Sequence, residues 1–334
     1  MIHIILSADI ITFFSYIDSK LQKWYNSDTM NTFFQYEISD SADGLTVGAY
    51  LHGQGYSENL LKKLKKAEAG LTVNNQRVFT NYTLSSGDIL CTNIIEETAS
   101  ETIVPTPMDI PIIYEDRDIL IINKPSGLAI HPSPGNYTNT LANAMAAYFQ
   151  TKNEPFVYRC INRLDRDTTG LLILARHALS ACILSERIRS RSITRTYLGI
   201  ADGLLPESGV IDKPIARAAG SIIEREINEE TGEPARTHYQ RLAYRSGCSL
   251  AMIRLETGRT HQIRVHMKSI GHPLLGDFIY HPDCRRIGRQ ALHSFALDFL
   301  HPITSRPMHF DVPMPPDMAS LFPAEDPSNY NWQG

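Results

Sequence analysis

Between residues 111 and 312 the chain keeps returning to short runs of aliphatic and β-branched residues: "IIYED", "ILIIN", "LLILA", "TYLGIAD", "THYQRLAY" and "CSLAMIRLET". Each has the length and residue types of a strand. Some are joined by connections too short to hold a helix. Others are joined by stretches with helical periodicity, such as "LANAMAAYFQ" and "ALSACILSERIRSR". Strands that outnumber helices and meet through both kinds of connection predict an α+β fold on a mixed, largely antiparallel sheet, rather than a doubly wound one. "Lys124-Pro125-Ser126-Gly127" reads as a turn, after which "LAIH" is expected to extend again. No GxGxxG follows the first strand and no GxxxxGK[ST] occurs, so no nucleotide cofactor is expected.

The chain has 334 residues, enough for two domains, one of them small. Residues 1–29 are set aside as an extension of doubtful authenticity, because a clean alternating strand pattern opens only after Met30. They lack the basic start and the cleavage site of a signal peptide. A small domain is expected over 30–98. In it Ser57 caps a helix that turns Leu60, Leu61 and Leu64 inward and Lys62, Lys63, Lys65 and Lys66 outward, with Gly70 as its stop. "LTVN" is a strand, "NNQ" a turn, and "SSGD" leads into the strand "ILCTNI". A polar, proline-containing linker covers 99–110, a large domain 111–322, and a loose tail 323–334.

Hydrophobic residues make up 43% and charged residues 20%, as in a soluble globular protein. No run of roughly 18 apolar residues predicts a membrane span. Five scattered cysteines, with no CxxC pair, favour a reducing compartment over a disulfide framework, and the cytoplasm is the expected location. The net charge of −4 argues against a nucleic-acid partner only on average. From Arg159 to Arg195 there are eight arginines and no lysine against three acidic residues, a local net of +5. Planar guanidinium suits phosphates and stacked bases, although a solvated helix face is the blander explanation.

Within that stretch "NRLDRDTTG" places Asp165 between Arg163 and Arg166 at the mouth of an apolar strand. Further on, "RLETGRTHQIRVHMKSIGHPLLGD" reads as a strand, a Thr257-Gly258 turn, and a helix capped by Thr260. That helix carries Ile263, Met267 and Ile270 on one face. Arg264 sits beside that face, so its guanidinium points inward and requires an anionic partner. Asp165 is the candidate. Such a pair would keep the carboxylate ionised, as a nucleophile requires; it would also serve as a structural salt bridge. Both readings stand on the residues alone.

"NRLDRDTTG", "RTYLGIADG", "LETGRTHQIRVH", "HPLLGD..Y" and "RQALHS" occur in the order seen in RNA pseudouridine synthases of the RluA type. "YEDRDILIINKPSGLAIHPS" resembles that family's opening. The resemblance covers roughly 111–312. Residues 44–96 resemble the small RNA-binding module of ribosomal protein S-four, and the plain alternative is a helix–hairpin domain with no RNA role. The resemblance implies a pseudouridine synthase fold with a small N-terminal α/β RNA-binding module. It also implies isomerisation of specific uridines in structured RNA, without a cofactor or a metal. Asp165 would be the nucleophile, Tyr197 would stack on the target base, and Arg264 would pair with Asp165. Arg163 would fill the gap left by the extruded nucleotide. Arg166, Arg259, Lys62, Lys63 and Lys66 are the further candidates for RNA contact.

Ribosomal RNA of the 23S type is the expected partner and a monomer the expected state. The alternatives are a tRNA-directed synthase and a non-catalytic RNA-binding or ribosome-assembly factor. A glycosidase would need a second carboxyl group, and Asp167, two residues away in the same loop, is poorly placed for it. Three positions depart from the family pattern: Asn162 where histidine is usual, Thr169 where serine is common, and Glu233 where lysine is usual. The third is expected to weaken local RNA contact. Lys124 is expected to have a structural or phosphate-contact role, and His131 and His293 to be satisfied histidines rather than acid–base groups.

Overall fold

The structure, a computed structural model, describes residues 21–25, 31–95, 103–330 and 332. The chain divides into two compact units. Of the described residues, those up to 95 with Asn153–Arg159 and Arg176–Ile183 form the smaller, and the others form the larger.

In the smaller unit, strand β1 (Leu21–Tyr25) pairs antiparallel with β2 (Asn31–Glu37). Helices α1 (Val47–Gly53) and α2 (Glu58–Lys66) follow, then β3 (Leu71–Val73), β4 (Gln76–Arg77) and β5 (Ile89–Ile95). The sheet order is β1-β2-β5-β3-β4. The alternation expected after Met30 is real: Phe34, Tyr36, Leu90, Thr92 and Ile94 all turn inward. Buried hydroxyls there satisfy one another, Tyr56 lying 3.0 Å from Tyr36 and 2.8 Å from Thr92. Ser57 caps α2 by accepting from the Leu60 amide, and Leu60, Leu61 and Leu64 are buried as expected. The helix ends three residues before Gly70, at Ala67. A Cβ on Gly70 would meet the Leu64 carbonyl at 2.1 Å, so close approach rather than helix termination requires glycine there. Asn74 and Asn75, both with positive φ, make the two-residue turn of the β3–β4 hairpin. Of the segment set aside at the start, 21–25 form β1, while 1–20 and 26–30, with Met30, lie outside the described residues.

The larger unit is built on a nine-stranded sheet, with a separate two-stranded hairpin. In chain order its elements begin with β6 (Ile112–Glu115), β7 (Ile119–Lys124), α3 (Leu141–Thr151), β8 (Thr169–Ala175), α4 (Ala178–Arg189), whose first half falls in the smaller unit, and β9 (Thr194–Asp202). Next come β10 (Ser208–Asp212), the hairpin β11 (Ile215–Arg217) and β12 (Arg225–Ile227), β13 (Arg236–Arg245), β14 (Cys248–Leu255), α5 (Gln262–Ser269), β15 (Leu292–Leu300), β16 (Pro307–Asp311) and α6 (Pro316–Ala319). The sheet runs β10-β13-β14-β9-β15-β8-β7-β6, with β16 added to β15; only β8 and β15 run parallel. Mixed and largely antiparallel, it is the sheet the strand spacing predicts. "LLILA" lies in β8, which is buried along its whole length.

Two local readings change. "LAIH" does not form a strand: only Ala129 bridges, to Thr140, and the Leu128 amide is spent on the Arg166 carbonyl. The N-cap of α5 is His261, in left-handed backbone at φ 57°, not Thr260. The expected linker lies partly outside the described residues, at 99–102. In its described part Asn143 of α3 holds the Val104 carbonyl and the Thr106 amide bonds to the Asn143 carbonyl. Where a loose tail is expected, Pro327–Asn329 form a single turn capped by Asp326, and residues 331, 333 and 334 lie outside the described ones.

Candidate active site

Asp165 sits in the turn between Asn162 and β8, and that turn is fastened by its main chain. The Thr168 amide donates to the Asp165 carbonyl at 3.1 Å. The Arg166 carbonyl accepts from Lys124 Nζ at 2.8 Å and from the Leu128 amide at 3.1 Å. The Asp167 carbonyl accepts from Arg289 at 3.2 Å. Lys124 is wholly buried, and its ammonium also holds the carbonyls of Pro125 (2.8 Å) and Leu128 (3.0 Å). Burial pulls its pKa down to about 7, against Asp167 and Asp165, which raise it. Three carbonyl oxygens call for the three donors of the charged form. Of the two roles expected for Lys124, this is the structural one, since no part of the side chain reaches solvent.

The departures at Asn162 and Thr169 are accommodated in the same place. Asn162 is buried and takes the Ile173 amide at 2.9 Å, and Thr169 Oγ1 meets His293 Nδ1 at 2.9 Å. His293 is 1% exposed, and burial lowers its pKa to about 4, so the ring is neutral. Gly170, at φ 110°, lies against Ser294 of β15, where a Cβ would come within 2.2 Å of the Ser294 carbonyl oxygen. Ser294 in turn is opposite Tyr197 of β9. The bare glycine therefore lets the Asp165 turn approach the strand pair that carries Tyr197.

From the other side, α5 delivers Arg264, whose Nη1 donates to Asp165 Oδ2 at 3.0 Å. Arg264 is 2% exposed and is itself anchored by Asp277, which accepts from Nε at 2.6 Å and from Nη2 at 2.7 Å. Burial alone would lower the Arg264 pKa; Asp277 and Asp165 outweigh it and hold the group above its ordinary value. The sequence reading joined Arg264 to Asp165 and missed Asp277. The signal was available, because a buried fork of five donors needs more than one carboxylate, and Asp277 closes the quoted "HPLLGD".

Asp165, Tyr197 and Arg264 line one open cleft, together with Arg163, Arg195 and His261. Tyr197 is 4% exposed, and burial raises its pKa, so the phenol is neutral. His261 Nε2 lies 3.9 Å from Asp165 Oδ2, while its Nδ1 is 2.8 Å from the Tyr280 hydroxyl. That hydroxyl also accepts from the Arg225 amide at 2.9 Å. The exposed guanidinium of Arg163 donates to the Thr260 hydroxyl, which is therefore not a helix cap. Arg166 donates to the Gly127 carbonyl at 3.3 Å and is exposed. Arg259 is ion-paired with Glu233 and donates from Nε to the Pro234 carbonyl. Lys62, Lys63 and Lys66 stand exposed on α2 of the smaller unit. Elsewhere, Asp116, Asp118 and His301 gather their ligand-type atoms within 4.8 Å. Asp116 is already bound by the Tyr114 hydroxyl, two amides and His301, as in a loop clasp.

The arrangement presents one carboxylate, held by a buried and anchored guanidinium, at the floor of a cationic cleft beside an aromatic ring. The family model described as RNA pseudouridylate synthase matches residues 118–269, which include Asp165, Tyr197 and Arg264. The uncharacterized RNA pseudouridine synthase YjbO of Bacillus subtilis (strain 168) is 38% identical over 283 residues, covering 84% of this chain and all of that protein. The ribosomal large subunit pseudouridine synthase D of Escherichia coli (strain K12) is 39% identical over 231 residues, covering 64% of this chain and 71% of that protein. Among solved structures, human RNA pseudouridylate synthase domain containing 1 superposes with a TM-score of 0.54 at 26% identity, covering 64% of this chain and 86% of that one. Given full-length identity of this order to a synthase, the chain belongs to the RNA pseudouridine synthase family, in its RluA-type branch.

Proposed function

We propose that the protein isomerises specific uridines of large-subunit ribosomal RNA, with Asp165 as the nucleophile. The observation that carries the reading is the Arg264–Asp165 contact at 3.0 Å, in which the arginine is buried and fixed by Asp277 while the aspartate reaches the open cleft. An ionised, oriented carboxylate with one face free is what covalent catalysis at a sugar or a pyrimidine ring requires. The bond from ribose to uracil N1 breaks and a bond from the same ribose carbon to C5 forms. The C5 proton leaves to solvent and N1 gains one, so no redox partner is consumed.

A stacked uridine must first be flipped out, at a cost of a few kcal/mol. Stacking on Tyr197 would return about 1–3 kcal/mol. Arg163 and Arg166, exposed beside the nucleophile, would hold the RNA around the vacated position. The large-subunit target rests on the synthase D relative named above, and the small unit with Lys62, Lys63 and Lys66 on one helix face would be its RNA-binding module.

The test uses ribosomal RNA transcribed with uridine tritiated at C5, because the new carbon–carbon bond expels that hydrogen into water. Wild type is expected to release tritium. Asp165→Asn is expected to lower the rate by about four orders of magnitude or more, with RNA binding nearly unchanged. Release sustained by Asp165→Asn would exclude the nucleophile. Release from transfer RNA alone would redirect the target, and none from any RNA, with binding intact, would leave a binding factor.

A further inference from the structure

A second open cleft, of about 1070 Å³, adjoins the first and shares Arg163 and Arg259 with it. Four arginines line it, Arg163, Arg217, Arg225 and Arg259, against a single carboxylate among the described lining residues, Glu233. Guanidiniums at this density suit a phosphodiester chain better than any neutral ligand. Of the four, Arg259 alone has a carboxylate partner among the described residues, and that partner is Glu233. Nε of Arg259 is also taken, by the Pro234 carbonyl at 3.1 Å.

The main chain of Glu233 is held in place. Its amide donates to the Ile215 carbonyl at 2.9 Å, and its own carbonyl accepts from the Ile215 amide at 3.0 Å, which ties it to strand β11. Arg259 is equally fixed, its amide donating to buried Gln262 at 2.9 Å. Both side chains are nevertheless open to solvent, Arg259 at 40% and Glu233 at 66%, so an incoming phosphate would meet the guanidinium and the carboxylate together.

We propose that this cleft carries the RNA strand flanking the target uridine, and that Glu233 is a specificity-determining residue that withholds Arg259 from phosphate. The inference rests on the RNA-isomerase reading above. Its effect is to cap the sequence-independent part of the affinity, which comes from phosphate contacts, and to leave discrimination to the target nucleotide.

The test is the salt dependence of binding to poly(U) by the intact protein, where each phosphate contact on a single strand contributes about 0.7 to the slope of log K against log salt. Arg217→Ala is expected to flatten the slope by about 0.7, and Glu233→Gln to steepen it by about 0.7. Arg259→Ala alone is expected to leave the salt slope unchanged, and to cancel the gain in the Glu233→Gln background. An unchanged slope in Glu233→Gln, or an equal loss from Arg259→Ala in both backgrounds, would overturn the role of Glu233. An unchanged slope in Arg217→Ala would overturn the path. Thermal melting of each variant separates these results from misfolding. Tritium release by wild type, measured on the same preparations, fails only if the isomerase reading itself fails.

Discussion

Arg264 shows how much a single side chain can be asked to do. Its guanidinium spans two carboxylates, one to hold it and one to be held by it, and only the second faces the cleft. Asp277→Ala leaves a buried charge with one partner instead of two. It is expected to cost about 3–5 kcal/mol in urea denaturation and to lower turnover as Asp165 loses its fixed neighbour. A cost below about 1 kcal/mol would show that Asp277 is not the anchor. The asymmetry in what the sequence reveals has a physical origin. Asp165 stands out because it is flanked by arginines. Asp277 follows a glycine in a segment that looks like any turn, and its role exists only because α5 lies over it. The pairing of residues 99 positions apart follows from the burial of Arg264, not from any local pattern.

At the level of elements, the strands were legible because burial on both faces, as in β8, leaves an unbroken aliphatic run that few other structures tolerate. "LAIH" looks the same over four residues, yet its first amide, that of Leu128, goes to the turn that carries Asp165. Local composition cannot distinguish a strand from a loop whose hydrogen bonds go elsewhere. The β8–β15 crossing is the more consequential element. With φ at 110° and a Ser294 oxygen where a Cβ would stand, Gly170→Ala is expected to destabilise the protein by about 3 kcal/mol or more, or to prevent folding. Near-native stability in that variant would mean that the turn and the Tyr197 strand pair need not be this close.

For the whole molecule, charge and pH act together. Burial lowers the pKa values of His293, His261 and His266, that of His293 to about 4. The His293 ring is neutral in the fold, while the unfolded chain takes up a proton there below about pH 6.5. This contribution to stability is therefore lost as pH falls from about 6.5 toward 4, and His261 and His266 act in the same direction. Each fully neutral ring contributes a slope of up to about 1.4 kcal/mol per pH unit. His293→Gln is expected to flatten the loss between pH 7 and 5; an identical slope would show that His293 is charged in the fold. RNA affinity should fall steeply with salt despite the net charge of −4, since contacts are local and the average is not. Replacing Lys62, Lys63 and Lys66 together with glutamine should flatten that dependence if α2 faces RNA.

The grip of Lys124 falls on main-chain oxygens, which every amino acid supplies alike. The exposed side chain at 166 is therefore free to change without loosening the turn that carries Asp165. Exchange of Arg166 for a different exposed group leaves its carbonyl in the clasp. A chain built this way can vary the side chain next to Asp165 and leave that carboxylate in register.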